Sequence, residues 1–483
     1  MKQTVKSNVN SNAILNIIKQ SCNIIIPLIT YPYVTRTLGE NALGKFSFVD
    51  SVVSYFIIFA ALGVPTYAIR EGARIRDDKT SLIKFSSELF SINIVTTVIS
   101  YLLLLVFFLM QPRLQREPIL IFILSINIIT NTISRDWINN IYEDFFYITI
   151  RYIIFQLISL ALIFILVHSS KDYVTYTVIM MFSNSGAYIS SFIYTLKRIP
   201  VRFTIRLNLT KHLKPILLLF CSTLAIQIYV KSDITVLGYL RSDSEVGIYT
   251  AASKIYTIIK ALLNAVIMVA IPRLSYYLGS NCKEKYNDLV KKLRDSLIAL
   301  IIPCVVGVFC LSKEIIYLIG GKTYISGCMP LSILCFALFF SVMGCYYAQG
   351  ILIANRDEKT FMIATMISAV INIVFNIIVI PFWGMNGAAV TTVIAEVLIY
   401  VICGRKSSKY YKRTKISGLI SIISGCFAII IVCVLSRILV DNILIRSMIS
   451  IFISAVIYFL ILVLGKNSAV LNITNVIRNK IMK

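Results

Sequence analysis

The sequence predicts an all-α protein that crosses a membrane many times. Three observations lead there. Of 483 residues, 58% are hydrophobic and 14% charged, where a soluble domain carries about 25% charged residues. The mean hydropathy is +0.83. Apolar runs of roughly 20 residues recur along the whole length, each long enough to cross a ~30 Å hydrocarbon layer as a helix. A membrane β-barrel would show alternating segments of about ten residues instead, and uninterrupted runs such as LLLLVFFLM at 102–110 exclude that.

Fourteen spans follow in order, at about 12–34, 46–66, 86–110, 117–135, 146–167, 173–196, 214–237, 247–271, 292–311, 327–352, 360–380, 386–403, 416–437 and 442–464. The longest polar linkers, 197–213 and 273–291, are too short for a separate soluble domain. The polar start MKQTVKSNVNSN leads into an apolar stretch longer than a signal h-region, so no cleavable signal is expected.

The net charge is +25. In a soluble chain that balance would point to nucleic acid. Between membrane spans, basic residues instead flank the helices on the cytoplasmic side, and no nucleic acid is expected as a partner. With the N-terminus and every second loop taken as one side, 32 of the 47 lysines and arginines fall there, 10 on the other side, and 5 in or at the edges of spans. This asymmetry places both termini in the cytoplasm and fits an even number of spans.

Eleven cysteines stand singly, without a CxxC pair or a Cys/His cluster; Cys304, Cys310, Cys335, Cys345, Cys426 and Cys433 lie in apolar runs. They read as small core residues, neither a disulfide framework nor a metal site. The two histidines, His168 and His212, stand at helix ends. No cofactor is expected, a coupled H+ or Na+ apart.

An internal repeat organises the spans. Residues 35–48 read TRTLGENALGKFSF, and residues 235–251 read TVLGYLRSDSEVGIYTA. Each ends one helix with Leu-Gly, turns, and opens the next with a glycine followed by an aromatic. Pro65 and Pro272 are expected to end the helices that follow. With Gly44 matched to Gly247, spans 1–6 correspond to spans 7–12. Both copies run in the same direction, so the halves relate by an axis along the membrane normal. The domains are then a six-helix lobe over 1–205, a second over 206–405, and two extra helices with a tail over 406–483. Halves of this kind enclose a substrate path.

Polar stripes at helical spacing mark the expected lining. Asn12, Asn16, Lys19 and Asn23 follow i, i+4, i+7, i+11 in the first span. Ser47, Ser51 and Ser54, with Asp50 alongside, mark the second. Thr223, Gln227 and Lys231 mark the seventh, and Ser253, Thr257, Lys260 and Asn264 the eighth, with Lys254 at its border. Residues so spaced share one helix face. Aligned on the glycines, Asp50 falls on Ser253, Ser51 on Lys254 and Ser54 on Thr257. Lys231 and Asp233 lie ~200° apart and do not pair with each other.

At 1.5 Å per residue, Lys19, Lys231, Lys254 and Lys260 all lie within the membrane. A charge on the lipid face there costs at least ~2.5–3.5 kcal/mol. The four amines are therefore expected to share a hydrated, cationic central cavity. The competing reading is that some snorkel or form structural pairs with Asp50, Asp233 or Glu396. A cationic path favours an anionic substrate, and lysine suits phosphate as a point charge. The asparagines, serines and threonines suit sugar hydroxyls.

Residues 371–400, INIVFNIIVIPFWGMNGAAVTTVIAEVLIY, resemble a stretch of the polysaccharide-repeat-unit flippases (the Wzx type) of the multidrug/oligosaccharidyl-lipid/polysaccharide exporter superfamily. DITVLGYLRSDSEVGIYTAASKI at 233–255, IPRLS at 271–275 and QGILIANRDEK at 349–359 fit the same family. WINNIYEDFFYITIR at 137–151 departs from it: Trp137, Glu143 and Arg151 fit, but Asn140 and Ile141 replace Gln-Gly. Arg151 is expected at the cytoplasmic interface, positioning the fifth span.

The resemblance implies a MATE-like fold and a flippase in the bacterial cytoplasmic membrane. It implies an undecaprenyl-pyrophosphate-linked oligosaccharide as substrate, moved by alternating access for O-antigen (lipopolysaccharide), capsule or exopolysaccharide assembly, with polymerase and chain-length proteins as pathway partners. The expected path residues are Lys19, Lys231, Lys254, Lys260, Asn16, Asn23, Gln227, Thr257 and Asn264. Asp50, Asp233 and Glu396 are the expected counterions or ion-coupling sites. Three rivals stand beside this reading. A multidrug or metabolite exporter of cationic cargo would favour an acidic lining. A polymerase or glycosyltransferase would need a large outer loop, and the longest one here, 312–326, is short. The peptidoglycan-precursor flippase also has 14 helices.

Overall fold

The computed structural model describes residues 9–205, 208–412 and 414–467, with side chains described at position 15 and from position 18 onward. Asn12 and Asn16 therefore lie outside the described side chains. Among the described residues every regular element is helical. In hydrocarbon each backbone N–H and C=O must be satisfied within its own segment, which a helix does. Ten helices among the described residues are long and apolar enough to cross a membrane; Pro118–Ser134 is a shorter apolar helix.

Two of the long helices each carry two expected spans. The first, α1 (Val9–Ala61), is broken only at Gly39 (φ 75, ψ 173). A positive φ is open to glycine without Cβ strain, so one residue makes the turn that the sequence suggested would take about ten. Glu358–Ser407 is broken in the same way at Gly384 (φ 52, ψ −133).

The described residues pack as two compact units that divide between Gly247 and Ile248. In the first, α1 packs against four helices: α3 (Lys79–Met110), α5 (Pro118–Ser134), α7 (Phe145–Leu166) and α9 (Leu209–Leu240). Between them run α2 (Val64–Arg74), α4 (Pro112–Gln115), α6 (Trp137–Ile141) and, last before α9, α8 (Tyr173–Arg198). A core of Tyr67, Leu82, Phe85, Leu89, Trp137 and Ile216 closes one end. Into it α9 brings His212, 1% exposed, whose Nε2 lies 2.8 Å from Glu88 and whose Nδ1 lies 3.0 Å from the Tyr67 hydroxyl. Division by packing and division by sequence repeat are different quantities: the repeat splits at 205/206, whereas α9 lies along α1.

The second unit holds most of α10 (Asp243–Gly279), then α11 (Lys283–Cys310), α12 (Ser312–Gly320), α13 (Cys328–Cys345), α14 (Glu358–Ser407), α15 (Leu419–Leu439) and α16 (Ile443–Leu464). Pro272 does not end its helix: α10 runs on to Gly279. A proline removes one backbone hydrogen bond, and a helix with enough packing absorbs that loss. The hairpin of α15 and α16 lies against α11. The buried Glu314 of α12 secures it by accepting from Arg437 at 2.9 and 3.0 Å, with Arg446 at 3.3 Å.

Candidate functional site

In the first unit the polar stripes of α1 and α9 meet as a seam. The Lys231 ammonium lies 2.9 Å from the Asp50 carboxylate. Four residues along α9, Thr235 donates to Ser51 at 2.9 Å and faces the Tyr55 hydroxyl at 3.0 Å. Four residues the other way, Gln227 donates to Ser54 at 2.9 Å. The i, i+4 spacing on α9 thus matches the i, i+3, i+4 spacing on α1, and each polar group that would face hydrocarbon meets another. Both members of the ion pair stay partly open, 26% and 40% exposed, so the pair can exchange partners. Asp233, on the opposite face of α9, is buried.

Lower on α1, Lys19 lies with its ammonium 5.7 Å from the centre of the Tyr152 ring, a cation–π distance. The Tyr152 hydroxyl donates to Asn23, so Lys19 and Asn23 share one tyrosine of α7. Nearby, Arg151 meets Asp136 at 2.9 Å, and Asn139 and Ser191 also donate to that carboxylate. Burial alone would raise the Asp136 pKa; Arg151 and these donors outweigh it and hold the group below its ordinary value.

In the second unit, Lys260 lies 2.7 Å from Glu396 of α14, which is 3% exposed and also accepts from the Tyr256 hydroxyl at 2.8 Å. Lys254 is half-buried. Thr257 is exposed and bonds back to the Ser253 carbonyl at 2.8 Å. Asn264 is half-buried, with its Oδ1 unpaired. An apolar groove of 480 Å³ runs between α11 and the last hairpin, lined by Leu300, Pro303, Gly307, Ile429, Tyr458 and Leu462 among others.

Two of the four expected lysines are therefore held by carboxylates, as the competing reading allowed. Tyr152 and Tyr256 join the site although their sequence gave no reason to choose them; Tyr256 does stand four residues before Lys260, a spacing that puts both on one face. Asn372 and Asn376 also went unassigned. They are buried, with Asn376 donating to Asn372 at 3.1 Å and accepting from Thr391.

The matched glycines of the repeat cross each other. A Cβ on Gly44 would lie 1.8 Å from the Asp243 carbonyl oxygen, and one on Gly247 would lie 1.9 Å from that of Glu40. Each glycine sits on the carbonyl four residues before its counterpart, a reciprocal contact that follows the two-fold relation. Gly238, expected at the turn, lies instead within α9, against the Phe48 ring.

Comparison with known proteins bears on this arrangement. A family profile described as "Polysaccharide biosynthesis protein" matches residues 9–278. One described as "Lipid II flippase MurJ" matches 194–464. A protein of Escherichia coli (strain K12) described as an O-antigen transporter is 26% identical over 402 residues, spanning 82% of this chain and 96% of its own. Among solved structures, a lipid II flippase MurJ in an inward closed conformation superposes with TM-score 0.73 at 18% identity, over 93% of this chain and 98% of that one. An inward-facing multidrug resistance MATE family transporter of the MOP superfamily gives 0.53 at 14% identity, over 80% and 97%.

Proposed function

We propose, for a chain that belongs to the polysaccharide biosynthesis protein family and is a Wzx-type flippase of the multidrug/oligosaccharidyl-lipid/polysaccharide exporter superfamily, that its cargo is an undecaprenyl-pyrophosphate-linked oligosaccharide repeat unit. The chain is a multi-pass membrane transporter of lipid-linked glycans, and no catalyst. The finer reading has the unit cross the bacterial cytoplasmic membrane, from a side that holds both termini, on its way to O-antigen, capsule or exopolysaccharide. Polymerase and chain-length proteins then act on what it delivers.

The observation that carries this reading is the pairing of lysines with carboxylates inside spans, beside hydroxyl and amide groups: Lys231 with Asp50, and Lys260 with Glu396. A lysine held this way meets an opposite charge where hydrocarbon would otherwise penalise it. An arriving pyrophosphate competes for the ammonium as a stronger anion, and the carboxylate is released to a proton or a sodium ion. In the proposed cycle of alternating access along a cationic path, Lys19 and Lys260 meet the pyrophosphate first, and Lys231 and Lys254 receive it later. Gln227, Asn23, Thr257 and Asn264 offer hydrogen bonds to the sugars. Asp50, Asp233 and Glu396 serve as counterions or coupling groups. An isoprenoid tail suits the apolar groove of the second unit.

The test is charge reversal. Lys19→Glu with Lys260→Glu, expressed in a strain lacking its own flippase, is expected to abolish surface polysaccharide while the protein remains in the membrane. Unchanged polysaccharide would remove the cationic path. The profile match over 194–464 favours a second reading, the peptidoglycan precursor as cargo; rescue of a strain depleted of that flippase would select it.

A further inference from the structure

A charged pocket lies in the first unit, where α1 after its break, the α3–α5 turn and the first turn of α10 come together. It measures 410 Å³ and is walled by Asn41, Lys45, Arg113, Arg116, Glu117 and Asp243. The charge asymmetry of the sequence puts this end outside the cytoplasm. Four of the charges are matched internally. Lys45 lies 2.6 Å from Glu117, and Arg113 pairs with Asp243. Arg113 also donates through Nε to the Gly238 carbonyl at 3.1 Å, so one guanidinium spans the α9–α10 turn. Arg116 is left over: it is exposed and has no ion pair among the described residues.

Three cations thus face two carboxylates. A neutral sugar gains nothing from that surplus, and a cation is repelled by it. An oxyanion is attracted, and a guanidinium presents a fork of donors matched to phosphate geometry. The volume falls within the ordinary range of small-molecule sites, so it admits a diphosphate or a sugar phosphate. The Asn41 amide, on the wall, can serve an adjoining hydroxyl. The Asp243 carbonyl rests on Gly44, so a ligand that draws Arg113 off Asp243 loosens the crossing of α1 and α10 at the same time.

We propose that this pocket is a phosphate-binding site, with Arg116 its main ligand and Arg113 shared between the phosphate and Asp243. The proposal rests on the flippase reading for its place in transport, where it would receive the phosphate group after crossing.

The experiment uses the full chain in phosphatidylcholine nanodiscs, titrated with inorganic pyrophosphate and read by hydrogen exchange over 111–117 and 241–246. Saturable protection is expected, weakened at least ~tenfold by Arg116→Ala, the size of one lost charge-assisted hydrogen bond, and unchanged by Lys171→Ala. A parallel arm replaces pyrophosphate with phosphatidylglycerol in the disc. Arg116-dependent protection in the first arm supports the site and names a diphosphate as ligand; in the second alone, it supports the site and names a bilayer phospholipid. Protection that is absent in both arms, or indifferent to Arg116, overturns the proposal. Flipping by the same preparations separates the two ideas: no binding with flipping intact sinks the pocket alone, whereas no flipping by the wild type sinks the transport reading.

Discussion

Lys231 and Asp233 stand two apart in one helix, and the structure sends them to opposite faces: Lys231 to Asp50, Asp233 into the interior. Their separation was readable from helix geometry alone. The identity of the partner was not, because Asp50 lies 181 residues away and no local spacing encodes such a pairing. The same holds for Lys260 and Glu396. A partly exposed pair contributes under ~1 kcal/mol to stability, so Lys231→Met is expected to leave the melting temperature in detergent nearly unchanged while it lowers export at least ~tenfold. Asp50→Asn is expected to spare more export than Lys231→Met, since in the proposed cycle the ammonium meets the cargo directly and the carboxylate acts as its counterion. Equal losses would mark a structural pair. Asp136 offers a pH test at the same scale. Its folded pKa lies below the unfolded value of about 3.9. Its contribution to stability is therefore present above that value and is lost as pH falls through the lower, folded one. Asp136→Asn is expected to melt earlier than wild type at pH 7, with the gap shrinking below about pH 4; a gap constant across that range would contradict the assignment.

At the scale of elements, the glycines decide most. Leu-Gly followed by a short polar stretch suggested two helices with a loop at 35–45. One glycine at positive φ replaces that loop, and the helix resumes at once. Sequence pattern cannot distinguish the two cases, because the same residues suit a turn or a first helical turn. The second glycine of each copy was legible as a match, and its role became clear only when the copies were seen to cross. At Gly44 and Gly247 the obstructing atoms are backbone, which cannot swing aside as a side chain can. Gly44→Val and Gly247→Val are each expected to destabilise by more than ~3 kcal/mol, in the upper range for single substitutions, and to shift thermal aggregation of the membrane-extracted protein to clearly lower temperature. Wild-type behaviour of either variant would show that the crossing opens without strain. The hairpin of α15 and α16 was readable as an appendix, but its attachment was not: Glu314 lies 123 residues before Arg437, and no local spacing links it to that residue or to Arg446.

At the scale of the whole molecule, the membrane made the fold class legible. Apolar side chains that a soluble protein would bury are widely exposed, such as Phe382 at 79% and Leu464 at 81%; lipid accepts them. Hydropathy therefore reports where spans lie and how long they are, and an expectation of sidedness rests on the basic residues instead. Packing partners are set by shape and by scattered polar groups, which hydropathy does not record, so the units by packing and the halves by repeat need not coincide. The central claim is that lysines held within the spans carry an anionic lipid head across the bilayer. It is tested most directly in proteoliposomes loaded with a fluorescent polyprenyl-pyrophosphate oligosaccharide, by following how much becomes accessible on the far leaflet with time. The account predicts translocation by the wild-type chain, loss with Lys19→Glu and Lys260→Glu together, and no translocation of an uncharged polyprenyl glycoside. Equal transport of the charged and uncharged lipids by all of these proteins would contradict it.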